Sequence, residues 1–345
     1  MTDRAIMLIK KWLVSILFFT TIIAFAGIIY QAISVKNDLQ KYPPSGELFS
    51  IDGKLMHIHC QGTGSPTVII EPGIWGNEWQ WQHINIEIAK ITRVCGYDRP
   101  GFGYSEPTTI NSITELANKL HKLLANAEIT DDLVLVGHSA GGIYAREYYS
   151  HYPDNVIGMV LVESSHENQN SGEINTLNII GSYLAPFGII RISGRVDKEI
   201  SRSKIPDEFK SKQIALYSQT HTLSAMVQES NFFNRYLINH GQPNSLGSLP
   251  LVVISRGRPL NEYVGIDPQY LENFRAYLEK WKTMQIELAQ LSTDSKHVFA
   301  NKSDHDVQFT QPEVIIEEIK VLIERLRKQQ LHRKQVDSIS TAIPQ

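Results

Sequence analysis

The feature that most constrains this chain is a five-residue string, Gly137-His138-Ser139-Ala140-Gly141. It is set between the apolar run LVLV (133–136) and the helical pattern AGGIYAREYYSHY (140–152). A short β-rich run that passes directly into a helix must turn sharply at the serine. Glycines at 137 and 141 leave room for that turn, and the helix start behind it favours developing negative charge. A serine hydroxyl is a weak nucleophile near neutral pH, so it needs a base, a group that orients the base, and donors for an oxyanion. Ser139 is therefore the candidate nucleophile, and the rest of the chain must supply the other groups.

From about Leu48 onward, short β-rich runs alternate with helical patterns, which predicts an α/β sheet with crossover helices. Leu48–Ser50 and Leu55–Cys60 flank Asp52-Gly53, a hairpin signal, so the sheet opens antiparallel. Buried strands are predicted at TVIIE (67–71), TRVCGY (92–97), LVLV, IGMVLV (157–162), LPLVVIS (249–255) and KHVFA (296–300). Helices are predicted at 113–127, 268–291 and 312–327, the last starting with proline at a permitted position. Residues 167–248 are polar, partly helical and without a clear strand. A structureless loop of that length does not suit a compact domain, so the segment reads as an inserted helical cap. The core is then 48–166 with 249–327, and 328–345 reads as a polar, frayed tail.

Trp12–Tyr30 reads WLVSILFFTTIIAFAGIIY and carries no charge. At about 1.5 Å per residue it is long enough to cross a hydrocarbon layer roughly 30 Å thick. Residues 1–33 read as a stub and membrane anchor, and 34–47 as a linker. Arg4, Lys10 and Lys11 precede the run, which places the N-terminus in the cytoplasm and the remaining chain outside. The alternative is a secreted protein cleaved after Ala24-Phe25-Ala26, although the apolar run continues past that point. With 33 basic and 36 acidic residues the net charge is -3, which gives no reason to expect a nucleic acid partner. The only cysteines are Cys60 and Cys95, and an exported pair can persist as a disulfide.

The strand–GHSAG–helix unit, together with YDRPGFGYS (97–105), resembles the α/β-hydrolase fold family from Leu48 to Arg327. The resemblance implies an eight-stranded, mostly parallel sheet flanked by helices, with the elbow after the fifth strand. It also implies the order nucleophile, acid, histidine, and a histidine in the loop after the last strand is His305, in KSDHDVQFTQPEVI. His138, His166, His221 and His297 lack that position. The family usually carries its acid after the strand read here as LPLVVIS, but this chain continues RGRPLNEY. Glu163, one strand earlier in VLVESSH, is favoured, with Glu262 and Asp267 as alternatives. The implied oxyanion donors are the backbone N–H groups of Ala140 and Ile74, in a loop with Glu71-Pro72-Gly73 where the family commonly has His-Gly. Asp98 and Arg99 are expected to form a structural ion pair. Neighbouring second and fourth strands would bring Cys60 to Cys95.

The reading is hydrolysis of a carboxylic ester, with thioester and amide as variants, through an acyl-enzyme on Ser139 and without metal or cofactor. A membrane-tethered chain would favour a lipophilic acyl substrate. A C–C hydrolase or exopeptidase of the same fold, or a non-catalytic membrane-tethered binding protein, are the alternatives. Haloalkane and epoxide hydrolysis in this fold generally need an aspartate where Ser139 stands.

Overall fold

The computed structural model describes residues 3–130, 132–172, 176–263, 265 and 267–341, so the parts of the cap and tail readings at 173–175 and 342–345 lie outside the described residues. β1 (Glu47–Ile51) and β2 (Lys54–Gln61) form the expected hairpin, with Asp52 and Gly53 both at positive φ. β3 (Thr67–Glu71), β4 (Val94–Tyr97), β5 (Leu133–His138), β6 (Val156–Val162), β7 (Leu251–Arg256) and β8 (Ser295–Ala300) complete an eight-stranded sheet. Its order is β1-β2-β4-β3-β5-β6-β7-β8, and β2 alone runs against the others.

Among the described residues the helices are α1 (Asp3–Lys41), α2 (Gln82–Ile88), α3 (Ile113–Asn126), α4 (Ala140–His151), α5 (Thr176–Leu184), α6 (Ile189–Ile192), α7 (Arg195–Arg202), α8 (Asp207–Tyr217), α9 (Thr222–Asn239), α10 (Leu271–Ala289), α11 (Val307–Thr310) and α12 (Pro312–Thr341). Strand alternation sorts the core into two layers. Leu133 and Leu135 of β5 and Met159 and Leu161 of β6 pack with α3, α4 and α10. Val134, Val136, Val160 and Val162 face α2 and α12 on the other side. Helices α5–α9 form the cap. Its α9 lays Phe232, Phe233 and Leu237 against Ile113 and Leu116 of α3 and against Ala140 and Tyr144 of α4, directly over the elbow.

Two helices outrun their sequence readings. α1 continues through the expected linker to Lys41, since Gln31–Lys41 contains neither Gly nor Pro and the first prolines stand at 43 and 44. α12 continues to Thr341, past the expected end at Arg327, because no Gly or Pro follows Pro312 before that point.

Cys60 and Cys95 face each other across the antiparallel β2–β4 pair and are disulfide-bonded, with Cα atoms 4.0 Å apart. The bond closes a loop over a sequence separation of 35. The double variant Cys60→Ala/Cys95→Ala is expected to lose about 3 kcal/mol of unfolding free energy, read by urea unfolding in detergent. A loss under about 1 kcal/mol would mean that the cross-link constrains the unfolded chain little.

Candidate active site

The ends of β5, β6 and β7 are in register, with His138 opposite Val162 and Val162 opposite Ile254. The residues that follow β5 and β6, Ser139 and Glu163, therefore emerge side by side at the C-terminal edge of the sheet. Both stand at positive φ, 53° and 46°, a conformation that costs a non-glycine residue of order 1–3 kcal/mol. Neighbouring strands hold them there. The Ser139 N–H donates to the Val162 carbonyl (3.1 Å), and the Glu163 N–H donates to that of Ile254 (2.7 Å). The elbow also requires its glycines. A Cβ at Gly137 would lie 2.5 Å from the Gly141 carbonyl oxygen, and one at Gly141 would lie 2.1 Å from that of Glu71.

His305 lies in the loop between β8 and α11. Its Nε2 is 3.0 Å from Ser139 Oγ and its Nδ1 is 3.2 Å from Glu163 Oε2. The loop is tied back by the Arg258 N–H donating to the Ser303 carbonyl (3.2 Å), and Trp281 of α10 sets its ring edge-on to the imidazole at 5.6 Å. His138, beside Ser139, plays a different part. Burial first, and then His305, pushes its imidazole down to about 4, so it is neutral and donates from Nε2 to the His305 carbonyl (3.0 Å). His297 pairs with Ser255 Oγ and His166 with Glu287, and neither contacts Ser139.

Glu163 is fully buried. Burial raises its carboxyl, but the His305 hydrogen bond and the charge of Arg256 outweigh that and hold it below the usual carboxylate range. Arg256, at the end of β7, donates its N–H to Glu163 Oε1 (2.7 Å) and its Nε to Oε2 (2.6 Å). This residue was not singled out from the sequence, although the signal was there: it closes the very strand after which the family usually carries its acid. Of the alternative acids, Glu262 lies 3.9 Å from Arg258 with its side chain 54% exposed, and Asp267 accepts from Gln269. Neither is brought to His305.

The loop Glu71–Gly76 runs past the elbow, where a Cβ on Gly73 would stand 3.3 Å from Ser139 Cβ. Arg99 organises it. Its Nη1 donates to the Pro72 carbonyl (2.9 Å) and its Nη2 to that of Gly73 (2.7 Å), while Nη1 also meets Glu71 Oε1 (2.9 Å). On the other side, Arg99 Nε is 3.0 Å from Glu229 Oε1 of α9. Glu229 Oε2 accepts the N–H of Trp75 (2.8 Å), itself at φ 63°. With the carbonyls and the Trp75 N–H engaged, the N–H groups of Ile74 and Ala140 have no protein acceptor among the described residues.

The expected Asp98–Arg99 ion pair is not formed. Adjacent residues at a strand end point to opposite sides, so Asp98 Oδ2 pairs with His57 Nδ1 (2.8 Å) while Arg99 turns to Glu71 and Glu229. Trp79 and Trp81 are contacts of the cap and core: Trp79 Nε1 donates to the Phe209 carbonyl of α8, and Trp81 is buried beside α2.

A model of the alpha/beta hydrolase fold matches residues 66–191. An uncharacterized protein of Schizosaccharomyces pombe is 26% identical over 305 residues, and the match takes in 76% of this chain and 52% of that one. The chain thus spans about half the length of that curated relative. Among solved structures, the epoxide hydrolase CorEH superimposes with a TM-score of 0.58 at 15% identity over 81% of this chain and 98% of that one. An esterase from Thermogutta terrifontis does so with a TM-score of 0.55 at 18% identity over 79% and 94%. Sheet order, elbow and model match together show the α/β-hydrolase fold. It carries in addition one N-terminal helix long and apolar enough to cross a membrane.

Proposed function

We propose that the chain is a membrane-anchored serine hydrolase that cleaves a carboxylic ester through an acyl-enzyme on Ser139. The observation that carries this reading is the continuous hydrogen-bonded line Ser139 Oγ, His305 Nε2, His305 Nδ1, Glu163 Oε2 at the elbow. In it His305 takes the serine proton as Oγ attacks the ester carbonyl, and then delivers that proton to the departing alkoxide. In the second half His305 activates water, which attacks the acyl carbonyl and frees Ser139. Glu163 holds the imidazole with its Nε2 open to the serine and stabilises the cation that forms. The N–H groups of Ile74 and Ala140 stabilise the oxyanion. An epoxide hydrolase shares the fold, but alkylation chemistry in this fold generally runs through an aspartate nucleophile, and a serine stands here.

Trp12–Tyr30 crosses the bilayer with the N-terminus in the cytoplasm, and the hydrolase core lies on the other side, where the Cys60–Cys95 bond persists. The anchor keeps the site near lipid, which supports a lipophilic acyl substrate. A fluorophosphonate probe is expected to label the full chain on Ser139 and to leave Ser139→Ala unlabelled. Equal labelling of both would overturn the hydrolase reading. With labelling established, esters of increasing acyl length should show rising kcat/KM, and a flat profile would count against the lipophilic substrate.

A further inference from the structure

The cap segment Thr176–Gly194 reads TLNIIGSYLAPFGIIRISG and holds one charged residue, Arg191, in a chain that is 20% charged overall. It forms α5, a single 3-10 turn at Ala185–Phe187, and α6. Most of its large apolar side chains are exposed. Ile180 is 50% exposed, Tyr183 75%, Ile189 44% and Ile192 69%. A soluble cap of this size would present polar groups there.

The same segment packs against α1 at a defined height. A Cβ on Gly27 would lie 2.3 Å from the Phe187 carbonyl oxygen, and Gly188 lies against the Tyr30 ring. One residue further along α1 the contact turns polar. Gln31, almost fully buried, donates from Nε2 to the Ser218 carbonyl (2.9 Å), and Arg191 pairs with Asp38 (2.7 Å). Arg191 is thus neutralised by α1, which leaves the outer face of the segment without a free charge. Gly27 stands three residues inside the end of the apolar span, about 4–5 Å below Tyr30 at the helical rise.

We propose that the face of the cap carrying Ile180, Tyr183, Ile189 and Ile192 lies in the surface of the same bilayer that α1 crosses, with these side chains about 5–10 Å into the headgroup and acyl boundary. The proposal rests on the reading of α1 as a membrane span. Lipid that surrounds the last apolar turn of α1, Gly27–Tyr30, must also meet the cap residues packed on that turn. This continuity favours a bilayer over a second copy of the chain. The uncharged span and the uncharged cap face then form one apolar surface, bounded by the polar contacts at Gln31, Asp38 and Arg191.

Single cysteines labelled with bimane test this in the full chain, whose two native cysteines are bonded to each other and do not take the label. The protein is reconstituted in phosphatidylcholine vesicles with and without brominated acyl chains. Tyr183→Cys and Ile192→Cys report the cap face, Val14→Cys reports α1, and Asp207→Cys reports the polar start of α8, where the side chain is 94% exposed. The cap-face and α1 labels are expected to lose about half their emission in brominated lipid, and the Asp207 label to lose little. If Val14→Cys is quenched while Tyr183→Cys and Ile192→Cys are not, the cap proposal fails and the anchor stands. If Val14→Cys is not quenched, the anchor reading fails and the cap proposal fails with it. Cap labels that are shielded from aqueous iodide only at high protein density, without quenching by brominated lipid, would assign the face to a second copy and overturn the bilayer assignment.

Discussion

Glu163→Gln is expected to lower kcat for a chromogenic ester by about 10⁴-fold with KM little changed. The amide can still accept the Arg256 N–H, so the strand end keeps its shape. Its NH₂ group, however, donates to His305 Nδ1 and favours the tautomer with the proton on Nε2, which cannot accept the proton of Ser139. Glu262→Gln and Asp267→Asn should leave kcat within a factor of about two, because neither carboxylate is brought to His305. The thermal midpoint of each variant, measured alongside, separates lost chemistry from lost folding, since Glu163→Gln also removes the counter-charge of Arg256. Retention of more than about a tenth of wild-type kcat by folded Glu163→Gln would exclude Glu163 as the orienting acid.

Arg99→Met is the second change with a large expected effect, here on stability. Arg99 is 2% exposed, lies between Glu71 and Glu229, and donates to the Pro72 and Gly73 carbonyls of the Glu71–Gly76 loop. Removing one partner of a buried ionic cluster leaves the others uncompensated, so the unfolding free energy should fall by about 3–5 kcal/mol in urea titrations in detergent. Less than about 1 kcal/mol would mean that the cluster is not the support of this loop. The pH dependence follows from Glu71. Burial pushes its carboxyl up to about 7 despite Arg99 and Tyr97, and Glu229 is raised as well. A carboxyl raised on folding gives a contribution that is complete below its ordinary value of 4.5 and is lost as pH rises through about 7. Wild-type stability should therefore decline over that window, and Glu71→Gln should flatten the decline. Without the guanidinium both acids rise further, so the deficit of Arg99→Met should be larger at pH 8 than at pH 6.

Much of the frame was legible because local signals carried it. β-branched runs of four to seven residues placed the strands to within two residues, and Asp52-Gly53 placed the hairpin. The string GHSAG, between a strand and a helix, located Ser139, and the order of strands pointed to His305 and Glu163. Glu229 and Trp281 were not legible. Each acts across a long sequence separation, and nothing in the residues beside them records where the chain returns. Glu229 is the only acid on α9, and no spacing rule relates it to Arg99 or to the N–H of Trp75.

The sequence by itself determined the alternation of strand and helix, the sharp turn at Ser139, and the uncharged span of α1, since each depends on side-chain type and spacing over fewer than about twenty residues. Only the tertiary structure decided that Glu163, and neither Glu262 nor Asp267, reaches His305, that Arg99 leaves Asp98 for Glu71 and Glu229, and that the cap rests on the last apolar turn of α1. The physical reason is the same in each case. Register between strands, the packing of α9 over the elbow and the burial of Gln31 set which distant groups share a few ångströms, and charges taken out of water must find partners among the groups that packing brings to them.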